Sequence, residues 1–270
     1  VNIRSGNSTN VLIKNVEVYG MDDNGSPDSS DADGFYAAYG THKNLTFINC
    51  SAHHNGEDGF DLQADATLIN CKSYNNMASG VKAWRRVNNN FAPHTVTVKN
   101  SLIYNNGYYA PDEKDSNPGI KSSYGAGLII ENSVIFNNYD QGINVHYNHT
   151  WGRNWPGDVG YRSDLALCDL TRCSLDDIPR LYWDGAGLYV REPVIIRNSI
   201  IANTVGGAGI RVRDSVLTED HNIFFNNLGN NIEQATNRGE SIFAITPDVT
   251  SIIDSDPKFV YPTLYNTTPV

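Results

Sequence analysis

The chain is predicted to be all-β: a single-stranded right-handed parallel β-helix, a solenoid in which each turn of the chain is one coil. Three recurrences predict it. The first is an apolar run ending in Asn: Val11-Leu12-Ile13-Lys14-Asn15, Leu45-Thr46-Phe47-Ile48-Asn49, Thr67-Leu68-Ile69-Asn70, Val96-Thr97-Val98-Lys99-Asn100, Leu128-Ile129-Ile130-Glu131-Asn132 and Val194-Ile195-Ile196-Arg197-Asn198. The second is another Asn six residues on, at Asn55, Asn76, Asn106 and Asn138, with Thr204 in the last instance. The third is a Gly-apolar-X element: Gly34-Phe35-Tyr36, Gly59-Phe60-Asp61, Gly80-Val81-Lys82, Gly119-Ile120-Lys121, Gly142-Ile143-Asn144 and Gly209-Ile210-Arg211.

Each recurrence has a physical reading. Short β-branched runs suit strands. Asn tolerates the left-handed backbone of a corner, and its amide can bond the coils above and below. The step from Asn49 to Asn70 is 21 residues, near the minimum for one coil; the later steps of 30, 32 and 66 are a coil or more plus insertions. One such coil cannot bury its apolar face alone, whereas stacked coils share a continuous core. The Leu-x-x-Leu-x-Leu frame of leucine-rich repeats is absent, and the period is too short for a propeller. Cys50 and Cys71 follow their Asn residues at equivalent places and read as a buried stack of small residues.

The chain is read as one domain over residues 1–270, with a loop insertion at 146–186 and a capping tail at 228–270. It opens inside a repeat, so further N-terminal coils and a cap are expected upstream. The 270 residues carry a formal net charge of −10. A phosphate-binding face must be basic, so nucleic acid is not an expected partner. No apolar run reaches the length of about 18 residues that a membrane-spanning helix needs, so no membrane partner is expected either. A monomer or an end-to-end homo-oligomer is expected, because exposed terminal coils offer strand edges.

Strand side chains alternate, so with the apolar residue of each Gly-apolar-X element inside, X faces outward. The outward column then runs Tyr36, Asp61, Lys82, Lys121, Asn144, Arg211. Asp33 and Asp58 share a register two residues before an inward Phe, and Glu57 precedes Asp58. Stacking should therefore bring Asp33, Glu57, Asp58 and Asp61 together at one edge of the column. Like charges so close are tolerable with a cation between them, and an oxygen-only set selects Ca²⁺. Asp-Gly pairs also simply make turns, but turns do not require three acids in five positions around a buried Phe. His53 and His54 read as exposed turn residues outside this ligand set.

Asp33-Gly34-Phe35, followed by Asn55-Gly56-Glu57-Asp58-Gly59-Phe60-Asp61 and then Gly80-Val81-Lys82, resembles polysaccharide lyase family 9, the calcium-dependent pectate lyases built on a parallel β-helix. The match spans Asp31 to Trp84 and extends weakly to about Asn227. Carried over by position, the resemblance implies Ca²⁺ ligands Asp33, Glu57, Asp58 and Asp61, and Lys82 as the catalytic base. The family usually has Asp where Glu57 stands. The implied reaction is β-elimination on a uronic acid of an acidic polysaccharide such as pectate, by a secreted enzyme. Lys82 would have to be neutral to act as a base; the surrounding acids would raise its pKa, and burial or neighbouring cations would lower it.

Lys121 is the runner-up base, and with Arg211 it reads as a grip for substrate carboxylates. Trp84 and Arg85 are assigned to substrate binding, with Arg86 adding to the basic spot. In the insertion, Trp151, Trp155, Tyr161, Tyr182 and Trp183 could stack on sugar rings or form the loop's own core, and Cys168 and Cys173 are spaced to permit a disulfide. Two other functions fit the same repeat. One is an alginate- or glycosaminoglycan-type lyase using Lys with Arg. The other is a non-catalytic carbohydrate-binding β-helix. The three-aspartate inverting glycosidases are disfavoured, because no Gly-His-Gly is present.

Overall fold

Short strands separated by Asn corners leave the chain one economical way to hide its apolar residues, which is to wind and stack. The computed structural model describes residues 1–22, 32–40, 42–84, 94–108, 117–123, 126–146, 194–204, 207–213, 217–235 and 242–255. Among them the strands form three sheets of nine, seven and eight strands. Each coil gives one strand to each sheet, and nearly all pairings are parallel. In the first sheet Phe35–Gly40, Phe60–Leu62, Val81–Trp84, Ile120–Ser123, Ile143–His146 and Ile210–Arg213 stack in that order. This is a parallel β-helix. Among the described residues no helix is long and apolar enough to cross a membrane.

Side-chain alternation builds the core. Leu45–Ile48 buries Leu45 and Phe47 and leaves Thr46 and Ile48 half-buried; Ala66–Ile69 and Thr95–Lys99 alternate the same way. Phe35, Phe60, Val81, Ile120, Ile143 and Ile210 line one inner column. Phe35 and Phe60 stack with ring centroids 4.6 Å apart, and Phe47 meets both edge-on. Each such ring contributes about 2–3 kcal/mol by leaving water, and the trio lies directly behind the acidic motif.

The recurring Asn residues divide into two kinds. Asn15, Asn49, Asn70, Asn100, Asn132 and Asn198 take left-handed φ, as do Asn75, Asn105, Asn137 and Asn203 at the next corner. The residue after that second corner is instead buried and bonds along the axis. Asn55 Nδ2 donates to Asn76 Oδ1 at 2.9 Å, Asn76 Nδ2 to Asn106 Oδ1 at 2.9 Å, and Asn106 Nδ2 to Asn138 Oδ1 at 3.1 Å. Conformational tolerance and polar satisfaction thus fall on neighbouring positions. Gly59 must pass close to this corner: a Cβ there would lie 2.0 Å from Ser73 Oγ.

Cys50 and Cys71 are free thiols, both buried. They begin a column continued by Ser101, Ser133 and Ser199, in which Ser101 Oγ accepts the N–H of Cys71 at 3.0 Å and Ser133 Oγ that of Ser101 at 3.2 Å. Parallel register also runs past residue 228, into the segment read as a tail. Ile232–Ala235 pairs with Ile210–Arg213, and Ile242–Ile245 then adds antiparallel. Asn231-Ile232-Glu233 continues the Gly-apolar-X column without its glycine, which is why the sequence pattern stops short of it. The insertion, with its aromatic residues, Cys168 and Cys173, lies outside the described residues.

Candidate active site

Corner chemistry and register together build the site. Asp33, Asp58 and Ser79 occupy equivalent places in successive coils, each just before a glycine. The N–H of Asp58 donates to Asp33 Oδ1 at 3.0 Å, and the N–H of Ser79 donates to Asp58 Oδ1 at 2.7 Å. Each carboxylate therefore uses one oxygen to hold the next coil. Asp33 is 5% exposed, Asp58 2% and Asp61 3%.

The second oxygens are what remain for chemistry. Asp33 Oδ2 is buried with no hydrogen-bond partner. Asp58 Oδ2 faces Lys82 Nζ at 2.8 Å. Asp33, Glu57 and Asp58 each bring one oxygen within 4.8 Å of the others. Asp61 lies on the same wall but is engaged otherwise. Its Oδ2 is 3.2 Å from Lys82 Nζ, and its Oδ1 accepts the indole N–H of Trp84 at 2.6 Å. Three of the four sequence-assigned ligands thus form one compact oxygen group, and the fourth meets the lysine. Lys82 Nζ also sits 5.3 Å from the centroid of the Trp84 ring.

The electrostatics follow from four carboxylates around one ammonium. Burial raises the pKa of Asp33 well above the usual carboxylate value, and the charges of Asp61, Asp58 and Glu57 push it the same way, with Lys82 opposing. Burial likewise raises Asp61, to about 6, against the pull of Lys82. For Lys82, burial pulls the pKa down, but Asp58, Asp61, Asp33 and Glu57 together outweigh it, and the amine is held well above its ordinary value. In this arrangement Lys82 is a clamped cation.

The rest of the outward column is placed as follows. Tyr36, Asp61, Lys82, Lys121, Asn144 and Arg211 are in direct register on adjacent strands. Lys121 is one rung from Lys82. Arg211 is three rungs away, about 14 Å at ~4.8 Å per rung, and its guanidinium is ion-paired with Glu233. Asn144 between them is buried and donates from Nδ2 to Gln141 Oε1 at 3.1 Å. Trp84 lies beside Lys82, on the same face, and its N–H is committed to Asp61. Arg85 lies outside the described residues. Sequence reading missed the backbone N–H of Ser79 as a site component; its signal was available, since Ser79 stands in the register of Asp33 and Asp58.

An oxygen-only donor set that includes the buried, unbonded Asp33 Oδ2 suits a hard divalent cation, which takes six to eight oxygen ligands. Neither Cys nor His joins this group among the described residues. Asp33, Glu57 and Asp58 therefore fit a calcium ion.

Comparison with known proteins agrees with the architecture. The model of the right handed beta helix region family matches residues 1–154. The chain belongs to this right-handed β-helix family. This family member is also 29% identical over 131 residues to pectate lyase L of Thermoclostridium stercorarium, which covers 43% of the present chain and 10% of that relative. The chain thus spans about a tenth of the length of that relative. A solved structure, the A-module of mannuronan C-5 epimerase AlgE4 of Azotobacter vinelandii, aligns over 92% of this β-helix chain and 58% of its own at 16% identity and a TM-score of 0.45, and is too distant to inform the site.

Proposed function

We propose that this β-helix acts on an acidic polysaccharide as a calcium-dependent lyase of the pectate-lyase kind, similar to polysaccharide lyase family 9. The observation that carries the reading is the meeting of Asp33, Glu57 and Asp58 with Lys82 on a single outer wall. The sequence similarity to a pectate lyase over 131 residues supports it.

Asp33, Glu57 and Asp58 would hold the ion, with Asp61 within reach of the same wall. Calcium bound there supplies a Lewis acid for a uronate carboxylate and so acidifies the sugar's C5 proton. Lys82 stands beside these ligands and would be the base for that proton. To accept it, the amine must first leave its ion pairs with Asp58 and Asp61 and lose a proton to solvent. Trp84 holds Asp61 in place, and Asp61 in turn orients Lys82. Transfer of the C5 proton to the amine and departure of the 4-linked sugar oxygen would leave an unsaturated end.

A second reading has its own observation. Lys82 is clamped by two carboxylates, whereas Lys121 stands on the next rung, one strand further from the acids. There Lys121 is the base and Lys82 a fixed cation that neutralises the wall. Activity of Lys82→Ala and Lys121→Ala on polygalacturonate, followed by ultraviolet absorbance of the unsaturated product, tests both. Loss in Lys82→Ala with calcium binding retained supports the first reading, and loss only in Lys121→Ala supports the second. Full activity in both variants removes both lysines as the base, full activity in excess chelator rejects the calcium dependence, and absence of unsaturated product from wild type rejects the lyase. Secretion of the protein is part of the same proposal, since its polymeric substrate is extracellular.

A further inference from the structure

In three successive coils the third sheet ends in an aromatic residue and then a left-handed Asn: Tyr74-Asn75, Tyr104-Asn105, Phe136-Asn137. The coil before them carries His53-His54 instead. His53 takes the aromatic place, stacked between Tyr19 and Tyr74 at centroid distances of 5.2 and 4.6 Å. His54 takes the corner, with φ of 53°. Consecutive strand residues would point to opposite faces. The left-handed corner turns both rings outward together, and their Nδ1 atoms lie 2.8 Å apart.

The other nitrogens are both committed. His53 Nε2 faces Glu17 Oε1 at 3.0 Å, and His54 Nε2 faces the side-chain amide of Asn75 at 3.3 Å. These partners assign the protons. A carboxylate needs a donor, so His53 carries its hydrogen on Nε2 and offers a lone pair at Nδ1. His54 Nδ1–H then donates to it, and Asn75 Nδ2–H donates to His54 Nε2. One proton is thus shared between two Nδ1 atoms that face each other.

We propose that His53 and His54 form a chelating site for a divalent transition-metal ion of the zinc or nickel kind, bound through the two Nδ1 atoms and separate from the acidic oxygen group. Imidazole suits these metals. Zinc–nitrogen bonds of about 2.0–2.1 Å in tetrahedral geometry put the two nitrogens about 3.3 Å apart, so the rings open by only about 0.5 Å. The metal takes the place of the shared proton. That proton leaves His54 Nδ1, the ring takes one at Nε2, and the Asn75 amide turns so that Oδ1 accepts it. Glu17 already stands behind His53 as the carboxylate of a carboxylate–histidine–metal relay. His54 is exposed, so water completes the coordination.

The test is calorimetric titration of untagged protein with Ni²⁺ in saturating Ca²⁺, which occupies the acidic group. Wild type should take up one Ni²⁺ per chain. His54→Asn and the double variant His53→Tyr/His54→Asn restore the residues of the next coil, so both should fold, as a circular-dichroism melt will report. Both should bind at least tenfold more weakly, and Glu17→Gln should weaken binding by about tenfold. Absence of uptake by wild type, or equal uptake by the folded double variant, overturns the site.

Discussion

Asp58 divides its carboxylate between two neighbours: Oδ1 accepts the backbone N–H of Ser79 at 2.7 Å, and Oδ2 meets Lys82 Nζ at 2.8 Å. The first contact holds one coil to the next; the second belongs to the outer wall. Asp33 makes the same division, except that its second oxygen has no hydrogen-bond partner. Structural and chemical demands on these residues are met by different oxygens of one side chain.

Removing the lysine should expose the cost of that wall. Lys82→Ala leaves Asp58 and Asp61 buried without their cation, and truncating one partner of such a pair costs about 3 kcal/mol. In chelator the variant should unfold at lower urea than wild type. Calcium should recover more stability in the variant than in wild type, because it replaces the missing positive charge. Equal calcium-induced shifts in the two proteins would disconnect Lys82 from the ion site.

The calcium-free protein should lose stability as pH rises through the acid range. Asp33 and Asp61 both have folded pKa values above their unfolded values, Asp61 moving from 3.8 to about 6. A raised carboxyl pKa means that the fold prefers the protonated acid. Its contribution is therefore complete below the unfolded value and lost as pH climbs through the folded one. Lys82, also raised, contributes stability that is present below its unfolded value of 10.5 and fades only in strong alkali. Melting curves in chelator between pH 4 and 7, beginning near the 3.8 value and passing about 6, should show this fall, and calcium should flatten it. A chelated protein that grows more stable over that window would contradict the burial of these acids.

Trp84→Phe keeps a ring beside Lys82 and deletes the 2.6 Å hydrogen bond to Asp61. One hydrogen bond to a charged group is worth about 1.5 kcal/mol, so the turnover number should fall by about tenfold with KM little changed. A rise in KM alone would instead make Trp84 a sugar-stacking residue.

The Asn column should matter to stability and not to chemistry. Asn76 Oδ1 accepts from both the backbone N–H and Nδ2 of Asn55, at 3.2 and 2.9 Å. Asn76→Ala strands those buried donors and should cost about 2–3 kcal/mol, read from denaturant unfolding. A variant as stable as wild type would show that water can take the place of the amide.

Much of the coil was legible because its signals are local. Phe35, Phe60 and Val81 announce the inner column through their glycines, and Asn49 and Asn70 announce corners through their spacing. Asn75 and Asn76 were harder to separate, since one residue type serves two purposes at adjacent positions. Ile232 escaped because no glycine precedes it. Arg211 was aligned correctly with Lys82 and Lys121, yet its ion pair with Glu233 depends on a strand the pattern did not reach.

The sequence by itself determined the period, the inward and outward faces, and the column on which Asp61, Lys82 and Lys121 stand, because strand alternation and repeat spacing are properties of the chain. Only the tertiary structure decided which oxygen of Asp33 and Asp58 is spent on the neighbouring coil, that Asp61 answers to Trp84 and Lys82, and that His53 and His54 face each other. Those outcomes turn on atoms of different coils brought within hydrogen-bonding reach, and no one-dimensional spacing carries that information.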